Sequence, residues 1–393
     1  MLTRLTLRSR LAKVVIAAVV FLLIGSVLPP LYNNQRRPLP MDLQLSVSTE
    51  AARGPSIDIF ALLKHELPAG AEKNPACRAQ GPSGGGEKTE VPIYCYRTDS
   101  ELTLKRVTTT SQADKEKKTA NTSSLVQITA DGQLITEINE TALLNRESTY
   151  PVAGPNTSQN FKVAPLHTGV TYTDFESDGL QYFFPSGTEQ RSYPYFDLLT
   201  QQAEPIDFTG TEKLGDIPSY TFHQSTEPVS ISEALEENLA KANSAQHQAI
   251  PEDVNFSGPA RLFYDAESLK RYDLKPDSHV IMDLFYSVVR DVWVEPTTGT
   301  ILDVSERVRL FWATDQQQAQ KMLAAEDTGD RSLVTASFNW DEATKSERLD
   351  SVRPVITATK VFSMVGWGGK AIGVVLLAGA AAMFMRRHNA GRA

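Results

Sequence analysis

Two long apolar runs bracket the chain, and between them hydrophobic and polar residues alternate with the period of β-strands. Leu11–Leu31 is interrupted by charge only at Lys13. At about 1.5 Å per residue, a helix of that length crosses the hydrocarbon core of a bilayer. Pro29-Pro30-Leu31-Tyr32 stands where a secretory leader would offer small residues for cleavage, so the run reads as a retained anchor. The second run, Val361–Met385, carries one internal cation, Lys370. An ammonium is costly at membrane depth. Either Lys370 snorkels outward past Trp367 from a helix core at Ala371–Met385, or it has a task within the membrane.

In the intervening segment, Met41–Thr49 sets Leu43, Leu45 and Val47 against Gln44, Ser46 and Ser48, as in a half-buried strand. The same pattern predicts strands at Ile93–Arg97, Leu102–Thr109, Ser124–Thr129 and Gln133–Asn139, with Asp131-Gly132 as a hairpin turn between the last two. Further strands are expected at Ser219–Gln224, Ala260–Asp265, Asp291–Pro296 and Ile301–Phe311, with Pro296 and Gly299 forming a turn. Helices are expected at Ser230–Gln248, carrying Leu235 and Leu239, and at Thr314–Glu326; polar Asp341–Val352 leads toward the membrane. The fold class is therefore α+β: a β-rich antiparallel domain over residues 32–360, with room for two lobes divided near residue 160, flanked by a transmembrane helix at each end.

Charge orients this arrangement. Arg4, Arg8, Arg10 and Lys13 precede or open the first run, and Arg386-Arg387-His388 follow the second. By the positive-inside rule, residues 1–10 and 386–393 are cytoplasmic tails, and the domain lies in an extracytoplasmic, periplasm-like space. The chain carries a net charge of −8, and removing the terminal cations leaves the domain more acidic still. Such a surface repels nucleic acid, which is excluded as a partner. The two cysteines, Cys77 and Cys95, flank a Gly-rich stretch, Gly81–Gly86. Outside the cytoplasm they read as a disulfide closing a local loop, worth about 3 kcal/mol on the chain-entropy model. A two-cysteine metal site would need further ligands, and no histidine is near in sequence.

Catalytic signatures do not stand out. There is no nucleophile elbow, phosphate loop or paired-histidine zinc motif, and His65, His167, His223, His247 and His279 are scattered. No cofactor is expected. The four N-x-[ST] sequons read as incidental in a chain rich in these residues. The densest feature is the aromatic stretch from Tyr182 to Asp197, with Tyr182, Phe183, Arg191, Tyr193, Tyr195 and Asp197 as candidate ligand-binding residues, joined by Trp293. Aromatics interleaved with Arg and carboxylates suit stacking on a sugar ring or an apolar cleft. The same residues equally suit a core.

The runs "GLQYFFPSGTEQRSYPYFD", "VWVEPTTGTIL" and "GDIPSYTFHQ", with "PLPMDL" after the first anchor, resemble an actinobacterial family of uncharacterised domains that is also labelled PorA. The likeness covers nearly the whole chain, although the cysteine pair and acidic insertions depart from the usual pattern. Its members come from mycolic-acid bacteria such as corynebacteria and mycobacteria, and one branch is implicated in maturing lipomannan toward lipoarabinomannan. The resemblance implies a non-enzymatic envelope protein that binds or presents a glycolipid, such as phosphatidylinositol mannoside or lipomannan, beside membrane mannosyltransferases. A weaker likeness, to the curved sheets of periplasmic lipoprotein carriers, points the same way. Three alternatives stand: a porin, as the family label says; a glycan-active enzyme using Glu176, Asp178, Glu189 or Asp197; and a scaffold for membrane glycosyltransferases. A spanning β-barrel fits poorly with a polar domain and two apolar helices.

Overall fold

The computed structural model describes residues 2–36, 38–78, 91–163, 168–234, 236 and 255–390. These fall into two compact units, Met1–Leu39 with Leu349–Ala393, and Pro40–Arg348.

The second unit contains two antiparallel sheets. The first is seven-stranded: β1 (Gln44–Ser48), β2 (Ala52–Ile57), β3 (Arg97–Gln112), β4 (Thr119–Ala130), β5 (Gln133–Asn145), β6 (Thr157–Val163) and β7 (Thr168–Phe175). β3 through β7 form a meander, and β1 and β2 both pair with β3. The second is eight-stranded: β8 (Tyr193–Phe196), β9 (Ala203–Leu214), β10 (Ile217–Ser225), β11 (Val229–Ser230), β12 (Phe256–Pro259), β13 (His279–Glu295), β14 (Thr300–Ala313) and β15 (Ser332–Asn339). Its order is β15-β14-β13-β10-β9-β8, with β11 and β12 on β13. The α+β class, with antiparallel sheets and an apolar helix at each end, is as the sequence indicates.

Inward positions of both sheets meet in one core. Leu102, Val126, Ile138 and Phe161 of the first sheet share it with Leu284, Val288, Leu310 and Phe338 of the second. β6 runs through position 160, where the sequence left room for a lobe boundary, and the chain passes between sheets after Phe175. At one edge the sheets nearly join: Glu50 N–H donates to the Asn339 carbonyl at 2.9 Å. Gly54 is required here, because a Cβ would run into the Thr335 carbonyl oxygen.

Turn chemistry matches the sequence where the backbone demands it. Asp131 (φ 48°) and Gly132 (φ 77°) both take the left-handed conformation of a primed hairpin between β4 and β5. Gly299 (φ 73°) closes the β13–β14 hairpin. The helix Gln316–Ala324 is capped by Asp315, whose carboxylate accepts from Gln318 N–H at 2.8 Å. Two expected strands are instead 3₁₀ turns. At Ile93–Tyr96, Pro92 accepts from Cys95 N–H, and Cys95 is tied to Cys77. At Ala260–Leu262, the Tyr264 N–H folds back to the Ala260 carbonyl, and Asp265 caps the helix Ala266–Arg271. Of the helix expected at Ser230–Gln248, residues 231–234 are helical, while Leu235, Leu239 and His247 lie outside the described residues, as do Gly81–Gly86 and His167.

The other unit consists of an N-terminal helix, Leu2–Arg36, and most of a C-terminal helix, Glu342–Ala390. Both are long and apolar enough to cross a membrane. They pack antiparallel: Tyr32 stacks on Phe362 with ring centroids 4.3 Å apart, Gly25 meets Gly366 and Gly369, and Ala18 and Leu22 meet Gly373. A Cβ at Gly25 would stand 2.6 Å from the Gly366 carbonyl oxygen, so backbone contacts backbone here. Small residues that permit this approach are what holds helices together in lipid, where apolar burial offers no net gain. Cysteines placed at Tyr32 and Phe362 are expected to cross-link within one chain. Adding Gly25→Leu should reduce that cross-linking to background.

Candidate functional site

Between the two sheets, charged groups line a cavity of ≈ 70 Å³. At roughly 10–15 Å³ per water on such a measure, it has room for a few waters. Leu104 and Arg106 of β3, Val126 and Ile128 of β4 and Ile138 of β5 line it on the first sheet; Arg290 of β13 and Glu306 of β14 line it on the second, with Tyr182 and Asp197 beside them.

Arg290 is the centre of the charged side. It lies on β13 in phase with Val288 and Val292, all buried. The register places Glu306 of β14 and Gln224 of β10 on either side of it. Its guanidinium Nη2 donates to Asp197 Oδ2 at 2.6 Å, Nη1 donates to Gln224 Oε1 at 3.0 Å, and Nε stands 3.1 Å from Glu306 Oε1. The Tyr195 ring lies over it at 5.2 Å, and the Tyr286 hydroxyl donates to the same Asp197 oxygen at 2.9 Å. Burial works against the charge on Arg290, but Asp197 and Glu306 outweigh it and hold its pKa above the usual value. The other Asp197 oxygen accepts from the N–H groups of Leu199 and Thr200, at 2.9 and 3.2 Å. One carboxylate thus shapes a turn and neutralises a buried arginine.

A second buried carboxyl group faces the same region from β5. Glu140, 1% exposed, accepts from the Tyr182 hydroxyl at 2.6 Å and from Gln159 Nε2 at 3.3 Å. Gln159 also donates to the Leu198 carbonyl at 2.9 Å and accepts from Gln201. Burial pushes the Glu140 carboxyl up to about 7, against the two hydrogen bonds that favour its ionised form. The turn from Asp197 to Gln201 therefore joins both polar centres. Arg106 stands 6.0 Å from the Tyr182 ring and has no carboxylate partner among the described residues.

The candidates named from sequence are dispersed over three settings. Tyr182, Tyr195 and Asp197 border the cavity. Tyr193 is buried and packs with Phe184 and Phe222 edge to face, and its hydroxyl accepts from Glu189 N–H at 2.8 Å. Phe183 is buried edge-on to Tyr182. Arg191 is on the surface, 4.3 Å from the Tyr193 ring centroid and paired with Glu189 at 3.0 Å. Trp293 lies on β13 like Arg290 but out of phase with it, on the opposite face of the strand, and donates to Glu212 at 2.9 Å. The loop between β7 and β8 that carries most of these residues is fastened by Phe184 N–H to the Gly299 carbonyl and Thr188 N–H to the Pro296 carbonyl. Of the carboxylates weighed for catalysis, Glu176 accepts from Gly154 N–H, Asp178 from Gly179 N–H, and only Asp197 borders the cavity. Cys77 and Cys95 are disulfide-bonded, with Cα atoms 5.4 Å apart. No group of histidine, cysteine and carboxylate residues suited to a metal ion occurs among the described residues.

Arg106, Glu140, Arg290 and Glu306 were not among the sequence candidates. A signal for them exists: each stands at a strand position in phase with apolar neighbours, where alternation calls for a hydrophobe. In the helix pair, Lys370 is exposed on the C-terminal helix, with its ammonium 5.7 Å from the Trp367 ring centroid.

Comparison with known proteins covers both units. A protein named Porin PorA from Corynebacterium resistens is 25% identical over 407 residues, 96% of this chain and 97% of its own length. Another of that name, from Corynebacterium amycolatum, is 25% identical over 350 residues, 86% of this chain and 88% of its own. The family model described as Porin PorA matches residues 11–382, from the first apolar helix to the last, and this chain therefore belongs to the PorA family.

Proposed function

We propose that this is a two-pass protein of the cell envelope membrane, with both termini cytoplasmic and the β-domain outside, whose helix pairs associate into a channel. The role is the one its relatives are named for, and the observation that carries it here is Lys370. The N-terminal span is Leu11–Tyr32, and Gly25, which abuts the Lys370 backbone, lies about 10 Å below its outer end. A lysine side chain reaches about 6 Å, so snorkelling leaves the ammonium short of the interface. Water in a pore between helix pairs satisfies it, and a ring of ammonium groups favours anions. The antiparallel pairing supports the two-pass topology, since it sets the arginines of both ends on one side.

The test is conductance of the purified full chain in planar bilayers. Discrete channels with a reversal potential on the anion side in a KCl gradient are expected, and Lys370→Gln should move that potential toward zero. Silent bilayers would sink the channel reading and leave the helices as anchors.

Glycolipid handling, with phosphatidylinositol mannoside or lipomannan as ligand and mannosyltransferases as partners, is a second proposal. It is favoured by the chemistry of the cavity lining, an apolar wall beside an uncommitted Arg106, which suits an anionic head next to an acyl chain, although at ≈ 70 Å³ the cavity would have to widen to admit the chain. Mass spectrometry of lipids co-purifying with the full chain tests it, and an empty protein would remove its support.

A further inference from the structure

The exposed face of the first sheet carries a groove of ≈ 550 Å³ with an unusual lining. Its walls hold no lysine, arginine or aromatic residue, and its one charge is Asp174. Across four strands the register aligns Thr109 of β3, Ser123 of β4, Thr141 of β5 and Ser158 of β6 in a single row. At the ~4.8 Å spacing of neighbouring strands, that row sets out hydroxyls over about 14 Å. Asn121 adds an amide beside it.

Elsewhere on the same face such groups satisfy one another. Thr103 bonds Thr129 at 2.7 Å, and Asn160 donates to Thr171 at 2.7 Å. Within the groove, the side chains of Thr109, Asn121, Ser123 and Thr141 have no hydrogen-bond partner among the described residues. A second feature converges on the same place. The β6–β7 ladder shifts register between Thr157 and Gln159, and Asp174, at the bulge, is held at φ 56°. The Ser158 hydroxyl accepts from its backbone N–H at 3.2 Å. Aspartate is one of the few non-glycine residues that adopt the left-handed region readily, and bulges re-aim side chains at functional places. Here the bulge brings a carboxylate into the wall of the groove.

We propose that this groove binds a neutral, linear saccharide, laid across the strands. Hydroxyl and amide groups spaced by the sheet match the advance of pyranose residues along an extended chain. Each sugar hydroxyl both donates and accepts, as Ser and Thr do. The Asp174 carboxylate accepts from a pair of vicinal hydroxyls in charge-assisted bonds. The lack of cations in the groove, within an acidic domain, disfavours uronic or sulfated polymers. The proposal stands apart from both the channel and the glycolipid readings, because it requires neither a lipid nor a pore.

Saturation-transfer NMR and calorimetry on the full chain in nanodiscs test it, using free cellohexaose, laminarihexaose, maltohexaose and α-mannohexaose, with hyaluronan hexasaccharide as the charged comparison. Binding of at least one neutral chain is expected at sub-millimolar to millimolar dissociation constants. Asp174→Asn, which asparagine tolerates in this backbone conformation, and Thr141→Val should each weaken it tenfold or more. Thr103→Val, on the same face but outside the groove, should leave it unchanged. No binding of any neutral chain, equal binding of the charged one, or binding indifferent to Asp174→Asn and Thr141→Val would overturn the assignment.

Discussion

Replacing Arg290 by methionine is expected to destabilise the β-domain by about 3–5 kcal/mol, the range for breaking a buried ion pair by removing one partner. The loss comes mainly from what is left behind. Asp197 and Glu306 have side chains only 5% and 19% exposed, and both would keep a negative charge in the core without the guanidinium that touches them, leaving only Arg106 across the same cavity. Gln224 and the face of Tyr195 would also lose their partner. Arg290→Met combined with Asp197→Asn and Glu306→Gln should recover most of the stability, since the asparagine oxygen still accepts from Leu199 and Thr200. Urea unfolding of the full chain in micelles, followed by the fluorescence of buried Trp312, measures both changes. A single-variant loss below about 1 kcal/mol would mean that water already reaches the cluster and that the carboxylates are solvated.

The same cluster shows where sequence pattern informs and where it fails. Leu102 and Leu104 alternate with polar residues because β3 has one covered face, and the hairpin at Asp131-Gly132 follows from two left-handed positions. By contrast, the first half of β13 escapes the period-two signal. Leu284 and Tyr286 face the inter-sheet core, while Phe285 packs with Phe311, Ala319 and Met322 under the helix Gln316–Ala324. A strand covered on both sides has no polar phase to betray it. The segment Ile93–Tyr96 misleads for a different reason, because a proline and a distant cysteine override local propensity. At the site, Asp197 is legible within its aromatic stretch. Arg290 and Glu140 carry a fainter mark, a charge on an apolar phase, whose meaning emerges only when Asp197 and Tyr182 arrive from the other end of the chain. For the rings around Tyr193, ligand stacking and core packing use the same residue types, and burial alone distinguishes them.

Glu140→Gln is expected to stabilise the protein above pH 7 and to leave it nearly unchanged below pH 4.5. The carboxyl titrates near 4.5 when exposed and near 7 in the fold, so the native state holds its proton over an interval where the unfolded chain has released it. Stability linked to this group is therefore fully present below about 4.5, declines as pH rises toward 7, and stays reduced above that. A shift of that size corresponds to roughly 3 kcal/mol. Glutamine keeps an oxygen for the Tyr182 hydroxyl and has no charge to desolvate, so the variant should lack this slope. Asp303, half-buried and pushed up by burial to about 6, contributes a slope of the same sign in both proteins, so the difference between them isolates Glu140. The readout is the gap in unfolding free energy between variant and parent, measured from pH 4 to pH 9. A gap that opens between 4.5 and 7 assigns the proton to Glu140. A constant gap would mean that the carboxyl ionises as it does in water, and that the inter-sheet cavity is wet enough to solvate a charge at its wall.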